Sequence, residues 1–447
     1  MSPVRPKGPV PSHLRVRMYQ VGFGDCFLLS FTYPAPLPDG RAERHVLVDF
    51  GSTRLPRRAE DLAGVAKLIA QHCGGHLDVV VVTHRHKDHI SGFGIQAAGA
   101  ILDTLKPDLV VRPWTEDPAA PAEARGPSAV GGSSRGFASA LAAGQGYASM
   151  LERALGEAAG LRGRVAEVAA DQISNAEAIA RLNRWAKATK GVYLHAGMAS
   201  GIEGFVPGIA VRVLGPPTVE QWPAVADQRA NNPEYWLAQR SLATQALAGA
   251  TDAEPGAEGE STQSASGDLG PSRWLVERMG DRHLASLRRI VRSLDDALNN
   301  TSLILLIEAG NKRLLFPGDA QIENWSYALG GSTRSRQIKR LLADIDLYKV
   351  GHHGSRNATP RSLVGLWQNE RSARRPLVAL MSTMGGVHGE TEATRVPRSS
   401  LITALERVGN LHRTDTLPPA EHFITVQAPL SSSSARLAKG DGFVLPS

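Results

Sequence analysis

The sequence predicts one α/β domain in which two mixed β-sheets pack face to face and helices cover the outer faces, an αββα arrangement. Three observations lead there. Strand-like runs followed by helix-like segments occur in two successive halves of the 447-residue chain. The run Leu77 to Thr83, LDVVVVT, is continuous and rich in valine, as suits a strand buried on both faces. Segments that carry chemistry resume directly beyond a low-complexity stretch, so that stretch interrupts one domain rather than separating two. The domain so read covers 14–430, with long insertions about 115–200 and 218–295 and flexible termini at 1–13 and 431–447.

Leu14 to Phe31 reads as two short strands, LRVRMYQV and CFLLSF, joined by the turn Gly22-Phe23-Gly24-Asp25. A further arm, His45 to Phe50, stops at Gly51-Ser52. Between Ala59 and Cys73 the residues Leu62, Val65, Ala66, Leu68 and Ile69 have helical spacing, and Gly74-Gly75 ends the helix. After LDVVVVT, helix-like patterns recur at Phe137 to Ala159 and Ser174 to Thr189. The Pro/Ala/Gly/Ser stretch Asp117 to Gly136 reads as a mobile loop. Gly208 to Leu214 reads as a strand stopped by Pro216-Pro217. Thr251 to Ser272 has almost no large apolar residue and is expected to be disordered. Strands return at Ser302 to Glu308, Arg313 to Phe316, Leu347 to Val350 and Leu377 to Ser382. Helix Arg398 to Val408 and strand His422 to Val426 close the ordered part.

Two cysteines, Cys26 and Cys73, are too few for a disulfide framework. No apolar stretch reaches the ~18 residues that a membrane span needs. The opening residues do not resemble a signal peptide, so a cytoplasmic location is expected. The net charge of +7 favours an anionic partner, though mildly basic surfaces often have none.

The chemistry concentrates in Thr83-His84-Arg85-His86-Lys87-Asp88-His89. Two histidines at i and i+2 on an extended segment point the same way and can grip one metal. Asp88 and His89, on the turn that begins the next helix, can face a second. Three histidines and an aspartate within six positions rarely form an idle solvated loop.

HRHKDH after an apolar strand resembles the HxHxDH motif of the metallo-β-lactamase superfamily. Further segments resemble the soluble hydrolase domain of the competence protein ComEC and its stand-alone relatives: VGFGDCFLL, LVDFG, NNTSLILLIEAGNKRLLFPGDA and YKVGHHGS. The resemblance spans about Leu14 to Val426 outside the insertions. It implies the metallo-β-lactamase sandwich, two divalent ions (Zn or Mn) and metal-assisted hydrolysis. The first choice of substrate is a phosphodiester, with single-stranded DNA or another nucleic acid ahead of small diesters. The alternatives are an esterase, lactonase or phosphorylcholine-type hydrolase on the same metals, or a catalytically silent binding or effector subunit.

By the same resemblance Asp319 bridges both metals, and one of His352 and His353 is the last ligand of the second. His353 is favoured as that ligand, with His352 as a helper to the leaving group. Asp88 doubles as a group that orients the nucleophile. Asp49 either orients a ligand histidine or starts a turn before Gly51. The family often has a further first-metal histidine in a segment like VRVLGPP, where this chain has Gly215. His195 can substitute from a neighbouring strand, although a plain strand histidine is the more frequent explanation. His388 sits in a loop where substrate contact is open, and His72 and His76 read as surface or capping residues. Arg334, Arg336, Lys339 and Arg340 have helical spacing and read as a solvated face, with attraction of phosphate left open.

Overall fold

A computed structural model describes residues 8–56, 60–118, 175–223, 298–357, 359–369, 376–387, 395–418, 420–431 and 443–446. The helix expected at Phe137 to Ala159, the stretch Thr251 to Ser272 and His388 lie outside the described residues.

Two mixed sheets form the body. In chain order the strands of the first are β1 (His13–Tyr19), β2 (Cys26–Thr32), β3 (Glu43–Phe50), β4 (Val79–Val81), β5 (Leu109–Pro113), β6 (Gly191–Leu194) and the late β13 (Phe423–Pro429). Their spatial order is β13-β1-β2-β3-β4-β5-β6, antiparallel from β13 to β3 and parallel from β3 to β6. The second sheet holds β7 (Ile209–Gly215), β8 (Ile304–Ala309), β9 (Lys312–Phe316), β10 (Leu347–Lys349), β11 (Leu377–Met381) and β12 (Gly409–Arg413) in the order β12-β11-β10-β9-β8-β7. The β7-β8-β9 part is antiparallel and the β9-to-β12 part parallel.

Alternation along the strands makes three apolar layers. Val46 and Val48 of β3 meet Leu305 and Ile307 of β8 in a core between the sheets. Leu47 and Phe50 face the other way, onto α1 (Leu62–His72), α2 (Lys87–Gly94), α3 (Gln96–Asp103) and α4 (Ala176–Ala188). Ile304 and Leu306 likewise face α5 (Ile322–Ser326), α6 (Ser335–Ala343), α7 (Arg361–Asn369) and α8 (Ser399–Val408). Both sheets are therefore flanked by helices, as the sequence predicts. Helix α1 buries Leu62, Val65, Ala66 and Ile69, the spacing read from the sequence, and Asp61 caps it by accepting from the Gly64 amide at 2.7 Å.

Several boundaries differ from expectation. Within LDVVVVT only Val79–Val81 is laddered, although Leu77 and Val82 are also buried. β5, β6 and β12 are too short or too polar to announce themselves; β12 is GNLHR. Residues 175–200, read as part of an insertion, supply α4 and β6 to the first sheet's layers. Near the end of the chain Val444 pairs with Gln427 and Phe443 is buried in the inter-sheet core, because an apolar pair there covers the edge at β13. Among the described residues no helix is long and apolar enough to cross a membrane.

The topology brings the chemistry to one edge. Asp49 lies at the end of β3, Thr83 and His84 follow β4, Asp319 follows β9, and His352 and His353 follow β10. All four strands belong to parallel portions, whose carboxyl ends are the usual place for ligands. The HRHKDH turn seats tightly there because of two glycines. A Cβ on Gly24 would stand 2.2 Å from the Gly51 carbonyl oxygen, and one on Gly51 would stand 2.5 Å from that of Lys87.

His45 in β3 gives a test of this packing. It is 4% exposed, and its Nδ1 lies 3.0 Å from Ser30 Oγ; burial pulls its pKa down to about 4. The folded value is thus below the unfolded value of ~6.5, so stability is intact above that pH and falls as pH drops toward 4. A shift of this size is worth about 3 kcal/mol. His45→Gln, compared with the parent in urea unfolding across this window, should lose about 3 kcal/mol less; parallel curves would refute the assignment.

Candidate metal centre

His84 and His86 leave β4 on one side, and His84 Nε2 lies 3.0 Å from His86 Nδ1. Ring nitrogens converging in this way are what two ligands of one cation require. The His89 ring lies beside them, 4.1 Å from His84 between centroids. His89 Nδ1 donates to Asp49 Oδ2 at 2.8 Å, which turns its Nε2 toward Asp319 Oδ2 at 3.1 Å and Asp88 Oδ2 at 3.7 Å. Opposite, His353 Nδ1 donates to the Ser382 carbonyl at 3.0 Å, and its Nε2 lies 2.8 Å from Asp88 Oδ2. Both rings are thereby held in the tautomer that presents Nε2. Asp88, His89, Asp319 and His353 each offer one ligand atom, all within 4.8 Å of one another. Buried histidines and carboxylates in this arrangement can hold a metal ion.

Asp49 is itself fixed. Its Oδ1 accepts from the Thr83 amide and its Oδ2 from the Thr83 hydroxyl, each at 2.7 Å. Asp319 is divided by oxygen: Oδ1 accepts from the His352 amide at 2.9 Å and Lys349 Nζ at 3.2 Å, while Oδ2 faces the imidazoles. The backbone is strained to reach this state. Among the described residues four non-glycines have left-handed φ, and Asp49, His352 and His353 are three of them.

Two residues that sequence reasoning passed over complete the centre. Asp25, from the GFGD turn, is wholly buried and ion-paired to Lys349 Nζ, which also bonds the Gly318 carbonyl. Lys349 therefore ties the first sheet to the second beside Asp319. The available signal was a lysine ending an otherwise apolar strand, and an aspartate inside a quoted motif. Asp25, Asp49 and His89 also form a group of metal-ligand type, but Lys349 and the His89–Asp49 bond already engage its carboxylates. His76, Asp78 and Asp108 form another, in which Arg41 and Arg44 pair with Asp78 at 2.8 and 3.4 Å.

The electrostatics follow from burying so many carboxylates. Burial pulls the His84 pKa far down, helped by His89 and His86, and brings that of His86 to about 4; both rings are neutral at pH 7 and lie outside the four-residue group. For His89 burial acts in the same direction, yet Asp319, Asp88 and Asp49 outweigh it and hold the ring above its ordinary value. Burial would raise Asp319, but His89 and Lys349 keep it well below the usual carboxylate range. Asp25 is raised by burial despite Lys349.

The other expected site residues are placed differently. His352 lies outside the four-ligand group: its ring is 6.3 Å from that of His353 between centroids, and its amide is bound to Asp319. His195 just beyond β6 is half-buried, with Nδ1 3.1 Å from the Ala196 carbonyl, on the wall of a separate cavity. No ligand group among the described residues includes it. At Gly215 a Cβ would fall 2.1 Å from Asn324 Oδ1, so the Asn324 side chain fills the space beside that position. His72 bonds Tyr19 and His76 bonds Asp108, in line with non-catalytic readings. The chain matches no family model and no curated protein.

Two tests follow from this geometry. Lys349→Met leaves Asp25 as a buried, unpaired carboxylate and should cost about 3–5 kcal/mol in urea unfolding. Adding Asp25→Asn should recover most of it; no recovery would show that the pair is not what holds the sheets there. Asp49→Asn puts an amide N–H against one of three donors and frees the His89 ring. Metal affinity, measured by competition with a chelator, should fall about 10–100-fold.

Proposed function

We propose that this chain is a hydrolase of the metallo-β-lactamase fold that uses two divalent cations to cleave phosphodiesters. The observation that carries the reading is the convergence of the His84–His86 pair and the Asp88–His89–Asp319–His353 group on one edge of the two sheets. His84 and His86 would hold a first cation, Asp88, His89 and His353 a second, and Asp319 would serve both. Nitrogen and carboxylate donors of this kind suit Zn or Mn.

Charge supports two ions rather than one. Asp25, Asp49, Asp88 and Asp319 against Lys349 leave three negative charges in the centre when the imidazoles are neutral. Two divalent ions turn that into a single positive excess, matched to an anionic substrate. Bound cations supply Lewis acidity and lower the pKa of water toward neutrality.

The protein's own groups do the rest. Asp49 and the Ser382 carbonyl fix His89 and His353, so the ligand set is formed before substrate arrives. Asp88, 13% exposed against 1% for Asp319, is the carboxylate more open to solvent; its burial is outweighed by His89 and His353, which keep it ionised, so it would orient a water. His352 is the candidate to protonate the leaving oxygen, with its backbone pinned by Asp319. Single-stranded nucleic acid stands ahead of small diesters, and the basic charge agrees with that order. The two cysteines are free and buried, which supports a reducing, cytoplasmic setting. A second reading, a silent binding subunit of the same fold, draws on Gly215, where the resemblance would put a further histidine and this chain has a glycine packed beside Asn324.

Elemental analysis and turnover of bis-nitrophenyl phosphate with added Mn²⁺ or Zn²⁺ test both. The parent should carry nearly two metals per chain, and His86→Ala and Asp319→Ala should each lose metal and at least ~100-fold in turnover. Two metals without cleavage of DNA, RNA or the small diester would remove this substrate class; no metal would favour the silent subunit.

A further inference from the structure

Outside the metal centre, a cavity of about 560 Å³ opens along the edge strand β7 of the second sheet. Val211, Val213 and Ile338 give it apolar walls, and Tyr327, Arg334 and Gln337 line its other side. This size and mixture are those of a small-molecule or ligand-group pocket. Its described acidic neighbours are engaged, Glu203 by neutral donors and Glu308 by cations. Glu203 accepts from Ser200 Oγ at 2.7 Å and the Val211 amide at 2.9 Å, while Glu308 pairs with Arg212 and Arg313, each at 3.2 Å.

Helix α6 forms one wall. Its apolar side, Leu342 with Ile338 and Leu341, packs on the second sheet. Its outer side is basic. Arg336, Lys339 and Arg340 stand at i, i+3 and i+4 and are all exposed, and the helix contains no acid. Asp344, just after it, pairs with Arg313 at 3.5 Å. Among the described residues, then, no acid of α6 itself offsets this positive face, which lies beside the cavity wall at Gln337.

Topology relates this face to the metal centre. Helix α6 lies in the connection from β9 to the parallel β10, so it runs back against the strands. Its first turn is thereby carried toward the carboxyl ends of β9 and β10, where Asp319 and His353 stand. At the other wall, Leu214 of the cavity precedes Gly215, which touches Asn324 in the helix that follows Asp319.

We propose that the basic face of α6 and the cavity beside it form a binding track for single-stranded nucleic acid. The phosphates lie across Arg336, Lys339 and Arg340, and one unpaired base enters the cavity against Tyr327. A polyanion is what such a face complements, and an enclosed pocket with an aromatic wall is accessible to a base only when it is outside a duplex. The proposal rests on the reading of the metal centre as a phosphodiester hydrolase, but its test does not need turnover.

The test is fluorescence anisotropy of labelled 20-nucleotide oligo(dT) and oligo(U) with the full chain in EDTA, over a range of salt. Arg336→Glu/Lys339→Glu/Arg340→Glu should weaken binding at least ~10-fold and lower the salt slope by about 2, since each phosphate contact on a single strand contributes ~0.7. Tyr327→Ala should weaken it about 10-fold with the salt slope unchanged. Reversing Arg184, Lys187 and Lys190 to Glu, exposed residues at and just beyond the end of α4, makes the same charge change elsewhere and should have a minor effect. Equal losses in both triple variants, or a blunt duplex binding as tightly as the single strand, would overturn the track. A metal-loaded parent that cleaves neither DNA, RNA nor bis-nitrophenyl phosphate but binds oligo(dT) in this pattern would sink the hydrolase reading and leave the track standing.

Discussion

The centre is governed by the cost of burying four carboxylates within one cluster. Such a group survives only if each oxygen has a donor or a cation. Among the described residues Lys349 is the one permanent positive charge inside it, bonded to Asp25 from the first sheet and Asp319 from the second. That ammonium closes the two sheets over the site, and it leaves Asp319 Oδ2 directed at the imidazoles. The geometry of the four residues that could bind a metal is therefore downstream of the Asp25–Lys349 ion pair, which stands apart from them.

The backbone bears part of the same demand. Asp49, His352 and His353 adopt left-handed conformations that non-glycine residues avoid, each worth on the order of 1–3 kcal/mol of strain. Each is held by bonds that a relaxed chain would lose: Thr83 on Asp49, Asp319 on the His352 amide, Ser382 on His353. The close seat of HRHKDH against Gly24 and Gly51 serves the same end, since any side chain there would lift the loop off the strand ends.

Much of this was legible in the sequence, and the boundary of legibility is physical. His84, His86, Asp88 and His89 stand within one turn, so spacing alone brings them together. Asp49 could be read as a group orienting a histidine because it ends a strand in a recognisable motif, and its bond to His89 agrees. Strands such as β2, β3 and β8 are apolar enough to be seen. Asp25 and Lys349 were not, because their pairing is decided by which strand ends meet across two sheets, and no local pattern encodes that. His195 shows the converse: a histidine at a strand end looked available, and the fold carried it to the cavity wall. β6 and β12 were missed because edge strands need little apolar content, while residues 175–200 looked like an insertion for want of a long hydrophobic run.

Gly215 and Asn324 carry a consequence for how this sequence can change. An imidazole at 215 would displace Asn324, since its first carbon would fall 2.1 Å from that residue's amide oxygen. Asn324 in turn is tied through Nδ2 to the carbonyls of Asn300 and Ser302, so it does not swing aside freely. A side chain at 215 therefore asks Asn324 to move or to be shortened, and either step takes a donor from two carbonyls. The two positions are therefore coupled, and what residue 324 holds sets what residue 215 can become.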